Sequence, residues 1–185
     1  MAGEHLQTQL EDQIRECFGR VVYSHKTHEK MADRCAARML QYKMAQIAVT
    51  ALTSSGAVGV VVFDDFRLKL ATAFLSFLSL FIAAYLKNFD PGGIAQKHRD
   101  TASKLWGIRE SYFSLITDLS ALEPKDARAK RDTLQEQLEP IYNSSPQTDA
   151  KAFAAAQVAL KNNEELTFSS GEIDCFLPAT HRRSD

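Results

Sequence analysis

Residues 44–63 read MAQIAVTALTSSGAVGVVVF and residues 70–86 read LATAFLSFLSLFIAAYL, two stretches without a charged side chain, separated by six residues. A helix needs about 17–25 predominantly apolar residues to cross the hydrocarbon core of a bilayer, and both stretches meet that length. The six residues between them, Asp64, Asp65, Phe66, Arg67, Leu68 and Lys69, include four charges, which suits a turn in water and opposes a continuous buried helix. The pair reads as a transmembrane hairpin with a wet tip. The competing arrangement is a helical hairpin buried in a soluble bundle. A mean hydropathy of -0.24 for the whole chain permits it, but one short domain would then have to bury two helices that are apolar all round.

The two spans differ in quality. Leu70, Phe74, Leu75, Phe77, Leu78, Leu80, Phe81, Ile82 and Leu86 favour insertion of the second by roughly 3–5 kcal/mol before its polar residues are counted. The first is diluted by Gln46, Thr50, Thr53, Ser54, Ser55, Gly56 and Gly59, so it is expected to enter as half of a hairpin and to need a protein partner within the membrane. Thr50, Thr53, Ser54 and Ala57 form one polar or small face, and Ala51, Ser55 and Gly59 an adjacent ridge at four-residue spacing. In a ring of subunits the ridge would pack on a neighbour while the hydroxyl face lines a pore. Thr72, Ser76, Ser79 and Ala83 would face the first span, and Asp64 and Asp65 would form an acidic outer rim that attracts cations. The plainer reading is that the hydroxyls bond only to their own backbone.

Composition bounds the rest. The chain has 185 residues and a formal charge of -1, which suits one domain with a membrane anchor and gives no broad nucleic-acid surface. Cys17, Cys35 and Cys175 are far apart, odd in number and without a CxxC, so they read as reduced thiols. The first span begins at residue 44 behind a charged helical arm, which is neither a signal peptide nor a transit sequence.

Within residues 1–43, Leu6, Leu10, Ile14, Cys17, Val21, His25, His28, Ala32, Cys35 and Met39 recur three or four apart, the pattern of one amphipathic helix. No proline interrupts residues 1–63, so the arm is expected to run unbroken into the first span as a rod of about 85 Å. After the second span, residues 87–93 read KNFDPGG, the strongest breaker signals in the chain, and a new helix is expected beyond them. Ile94, His98, Thr101, Leu105, Ile108, Tyr112, Leu115, Leu119 and Leu122 then alternate by four and three, which is coiled-coil spacing. A hairpin returns the chain to the side it came from, so this helix should lie antiparallel to the incoming arm and close on it. His25, His28, His98, Leu105, Ile108 and Tyr112 are the expected packing seam, and the seam is expected to hold subunits together as well.

Later segments carry less. Pro124 suits the first position of a helix with a sparse stripe of Ala127, Leu134, Leu138 and Ile141, which Pro140 is expected to end. Residues 143–149 read as a linker and residues 151–162 as a short helix presenting Phe153, Ala156 and Leu160. The expected division is a membrane domain over residues 1–163, comprising the arm (1–43), the spans (44–63 and 70–86) and the later helices (94–163), followed by an irregular tail over residues 164–185.

Lys26, Lys30, Arg34, Arg38 and Lys43 precede the hairpin and Lys87, Lys97, Arg99 and Lys104 follow it, against Arg67 and Lys69 at the tip, so both termini are expected to be cytoplasmic. His25, His28 and Glu29 share a helix face, but HKTHE matches neither HExxH nor HxxEH and no third ligand is evident. Interhelical hydrogen bonding is the plainer use, and a pH-sensitive seam is the other, since His98 also faces inward. Trp106 beside Arg99 and Arg109 has the composition of a nucleotide-stacking site, although packing on the arm and ion pairing of Arg109 with Glu110 are the ordinary roles. No Gly-rich phosphate loop, nucleophile with a matching base or pair of inward carboxylates is present, which argues against an enzyme and leaves no cofactor or metal to place.

The arm VVYSHKTHEKMAD (residues 21–33), the two-span hairpin and the helix QKHRDTASKLWGIRESYFSLITDL (residues 96–119) together resemble the SLATT family of bacterial two-helix membrane proteins, over about residues 5–163. The resemblance implies an all-α membrane effector of bacterial immunity at the inner membrane, one that permeabilises it on activation and is associated with nucleotide second messengers or their synthase or sensor partners. It assigns no catalytic or ligand-contacting residue. A membrane-anchored adaptor that recruits another protein without conducting is the second function class; the seven polar or glycine positions of the first span favour the effector. Membrane lipid and further copies of the chain are the expected partners.

Overall fold

The computed structural model describes residues 2–183, and side chains within it from Gln7 onward apart from that of Ser170. Leu6 of the expected stripe and the last two residues of the tail therefore lie outside the described side chains. The chain is all-α: α1 (Ala2–Val62), α2 (Phe66–Phe89), α3 (Pro91–Asp118), α4 (Pro124–Ser144), α5 (Ala150–Lys161) and α6 (Ser170–Phe176), with 3-10 turns at Leu119–Ala121 and Ala179–His181. Helix α1 passes without a break from the arm through the first apolar stretch. At 61 residues it is about 90 Å long. Helix α2 packs along its second half, and α3, running the same way as α2, packs along its first half.

The connection between the spans is tighter than the charge pattern suggests. Phe66, Arg67, Leu68 and Lys69 belong to the first turn of α2, leaving residues 63–65 as the turn. The physical reason is capping: Asp65 Oδ1 accepts hydrogen bonds from the backbone N–H of Arg67 (2.6 Å) and Leu68 (3.1 Å), satisfying donors that start the helix at once. Lys69 pairs with Asp64 across that turn.

The breaker run at residues 87–93 is likewise a joint and not a loop. Only Asp90 separates α2 from α3, in the left-handed conformation (φ 32°, ψ 66°). Its N–H donates to the Leu86 carbonyl (3.1 Å) and its Oδ1 accepts from the Gly93 N–H (3.0 Å), so a single residue closes one helix and opens the next. Pro91 fits the first helical position, where no N–H is required. A Cβ on Gly93 would stand 2.2 Å from Asp90 Oδ2, so the glycine is needed for the cap to approach.

Leu10, Ile14, Cys17 and Val21 of α1 interlock with Leu105, Ile108, Tyr112 and Leu115 of α3, and α4 adds Ala127, Leu134 and Leu138. Burying each large side chain contributes about 1.5–3 kcal/mol. The seam closes within one chain, so its buried residues hold the bundle itself together.

Two local expectations also change. Pro140 does not end α4, which continues to Ser144. The carbonyl of Glu136, which loses its partner to the proline, is on an exposed stretch where water can serve it, while Leu138 and Ile141 hold the helix to the core on either side. On α5 the buried residues are Ala152, Ala156 and Ala159, not Phe153 and Leu160. Methyl groups at this spacing let α5 approach α1 closely, and Phe153 instead stacks on Tyr23 with ring centroids 5.8 Å apart. The tail is not wholly irregular, since α6 forms behind Ser169, whose hydroxyl accepts from the Glu172 N–H.

Candidate functional site

The bundle buries its stripes; the hairpin does not. No residue of α2 is buried, and Val58, Phe74, Phe77 and Leu80 are each about two-thirds exposed (66%, 64%, 68% and 68%). Among the described residues two helices are long and apolar enough to cross a membrane, and no residue of either apolar window is buried, the opposite of a hairpin sunk in a soluble bundle. Tyr42 and Tyr85 meet edge to face at the bundle end of the hairpin, with Phe89 stacked on Tyr85, a position where aromatic rings mark a membrane–water interface.

Between the spans the contacts are made by small and hydroxyl residues. Thr50 Oγ1 lies 3.0 Å from Ser79 Oγ. A Cβ on Gly56 would meet Thr72 Oγ1 at 2.5 Å, and one on Gly59 would meet Leu68 Cδ2 at 3.2 Å, so both glycines bring the helices together. Thr53 donates to the Val49 carbonyl, Ser54 to Thr50, Ser55 to Ala51 and Ser76 to Thr72, all within their own helices.

A second feature lies in the bundle. The arm residues His25, Lys26, Glu29 and Lys30, the α3 residues Arg99, Ser103 and Trp106, and Glu165 of the tail surround a cleft of about 590 Å³. Lys26 is buried, yet its Nζ lies 2.7 Å from Glu29 Oε2 and 2.6 Å from Glu165 Oε2. Burial opposes its charge, but the hydrogen bonds to Glu165 and Glu29 prevail and its pKa is raised. Lys30 holds the same Glu165 carboxylate at 3.2 and 3.3 Å. The hydrogen bond from Lys26 is the largest influence on that carboxyl, and its pKa falls to about 2. Glu165 is presented by strained backbone, because Glu164 (φ 50°) and Leu166 (φ 75°) are both left-handed without being glycine, at a cost of about 1–3 kcal/mol each. Arg34 pairs with Asp149, the cap of α5, and so anchors that helix to the arm.

Trp106 is 42% exposed at the cleft; Arg109 lies 4.4 Å over its ring and His25 is tilted against it at 5.4 Å. Arg109 Nη1 lies 3.2 Å from Glu110 Oε1, but its Nε and Nη1, with His25 Nδ1, make no hydrogen bond among the described residues. Deeper, His28 Nδ1 and His98 Nδ1 face each other at 2.9 Å. Burial, then the neighbouring His98 and His25, lowers the His28 pKa to about 4, and burial lowers that of His98 against the opposing pull of Asp149.

Residues 10–172 match the SMODS and SLOG-associating 2TM effector domain family 4. The chain belongs to that family. No curated protein and no solved structure matches it. The match identifies the exposed hairpin as the two-helix membrane part of an effector domain, and it reaches past residue 163 into the segment carrying Glu165.

In this effector domain His25, His28, His98, Leu105, Ile108 and Tyr112 are all buried between α1 and α3. Of the four residues assigned to a pore face, Thr50 contacts the second span through Ser79 and Thr53 is half-buried, while Ser54 and Ala57 are exposed. Ala51, Ser55 and Ser76 are exposed, and Asp64 and Asp65 stand exposed at the tip. The sequence reading missed Glu165, the Lys26 and Lys30 ammonium groups that hold it, and the Arg34–Asp149 pair. Lys26 and Lys30 share a helix face, which signals an anionic neighbour, but nothing around Glu165 marks it as that neighbour.

Proposed function

We propose that this effector domain acts without catalysis, assembling into oligomers in a bacterial inner membrane and permeabilising it on activation as part of an immunity system. The observation that carries the reading is the uncovered hairpin, whose first helix is continuous with a packed bundle. An anchor needs one apolar helix, whereas here Ser54 and Ala57 leave a polar or small strip of the first span uncovered within a single chain. In a ring, that strip would face either a neighbour or water, and the exposed Asp64 and Asp65 would form an acidic rim outside. The excess of cations flanking the bundle side of the spans supports a topology with the bundle and both termini in the cytoplasm.

The test is dye release from liposomes by the purified chain, alone and with candidate activating nucleotides, for the native sequence and for Thr50→Val, Thr53→Val and Ser54→Leu combined. The proposal expects release by the native chain and its loss in the triple variant, with insertion and oligomeric size unchanged. Equal release from an intact triple-variant oligomer would move the path to the lipid boundary. Insertion without release under every condition would favour the adaptor.

A further inference from the structure

The cleft in the bundle is built unlike a structural ion pair. A purely structural pair needs no open volume beside it, yet Lys26 and Lys30 border about 590 Å³ of it. Arg99 also borders the cleft and has no ion-pair or hydrogen-bond partner among the described residues. His25 is only 3% exposed, and its Nδ1 is unpartnered there as well. The carboxylate that the two lysines share, Glu165, comes from outside the bundle, on a segment with two non-glycine residues in the left-handed region. Such backbone persists only where its contacts over-determine it, and it is released when those contacts are replaced.

We propose that this cleft binds a ligand carrying phosphate beside a planar ring, and that Glu165 occupies the phosphate position until such a ligand displaces it. Lys26, Lys30 and Arg99 supply the cations, and the exposed part of Trp106 supplies the stacking surface. Three cations and three carboxylates (Glu29, Asp33 and Glu165) line the cleft. Once Glu165 leaves, three cations face two carboxylates, so the vacated position favours an anion, and a phosphate offers more acceptor oxygens to the cations than the carboxylate it replaces. Displacement also frees the residues around Glu165 from their strained conformation and uncouples the tail from the arm. The inference gives the proposed effector a ligand site, but binding is read without any membrane leak, so either can fail alone.

Trp106 is the one tryptophan in the chain, so its fluorescence reports the site directly. The full chain in detergent is titrated with AMP, with adenosine as the phosphate-free control, for the native sequence, Glu165→Gln, and Glu165→Gln combined with Lys30→Glu. AMP should quench Trp106 in Glu165→Gln about tenfold more tightly than in the native chain, adenosine should not, and Lys30→Glu should abolish the effect. Circular dichroism and elution volume check folding, and Glu165→Ala repeats the titration if the glutamine variant does not purify. No AMP response in either Glu165 variant would overturn the proposal, as would equal affinity with and without the carboxylate.

Discussion

His28 and His98 share one contact between two like nitrogens, so one Nδ1 must carry the proton and the other must accept it. The pair is stable only while at least one ring is neutral. Because burial and the facing ring depress the His28 pKa from 6.5 to about 4, the folded bundle resists a proton that the unfolded chain takes up. Stability is therefore full above about pH 6.5 and declines as pH falls towards 4, by about 3 kcal/mol from His28 across the window. His25 adds to the decline through burial, opposed by Glu29, and Asp149 moderates it at His98. Thermal midpoints followed by Trp106 fluorescence should drop steeply between pH 7.5 and 5 for the native chain and by clearly less for His28→Asn. An unchanged slope in the variant would assign the acid sensitivity elsewhere. That these histidines face inward was legible from their place on the apolar stripes; that they touch each other was not, since contact depends on the axial register of two helices whose order along the chain is seventy residues apart.

At the scale of elements, the hairpin is set by Gly56 against Thr72. Replacing Gly56 with leucine would force side-chain atoms into the position of the Thr72 hydroxyl, and overpacking of this kind costs about 1–3 kcal/mol or spreads the helices. Cysteine pairs placed at Thr50 and Ser79 should crosslink readily in the native background and poorly with Gly56→Leu; efficient crosslinking in both would show that the glycine is not what sets the separation. The helices themselves were readable from apolar period and length. Their junctions were not, because Asp65 and Asp90 act through capping geometry that charge and breaker counts treat as loop. Pro140 misled for the opposite reason: its exposure makes the lost hydrogen bond tolerable. On α5 the aromatic and leucine residues drew attention, yet close packing on a long helix selects the smallest side chains.

Across the whole molecule, charge is distributed so that the tip and the bundle differ. Arg67 and Lys69 at the tip are outnumbered by the lysines and arginines flanking the other ends of the spans, and Lys69 is already neutralised by Asp64. A phosphatase that is active only outside the cytoplasm, inserted at Asp65, should give activity in cells, and fusions at either terminus should give none. Activity at the termini would invert the topology and with it the assignment of the bundle to the cytoplasm. The all-α architecture was legible because two uninterrupted apolar stretches leave few alternatives. The cleft was not, since it needs a carboxylate from a segment with no period or motif.

The two strands of the hairpin differ mechanically. One is unbroken: α1 runs from Ala2 to Val62 as a single helix, so the arm and the first span are one rod with a common axis. The other is divided at Asp90, where a single left-handed residue ends α2 and starts α3. A displacement of the arm thus has an uninterrupted helical path into the first span, whereas the return path crosses a joint held by one residue.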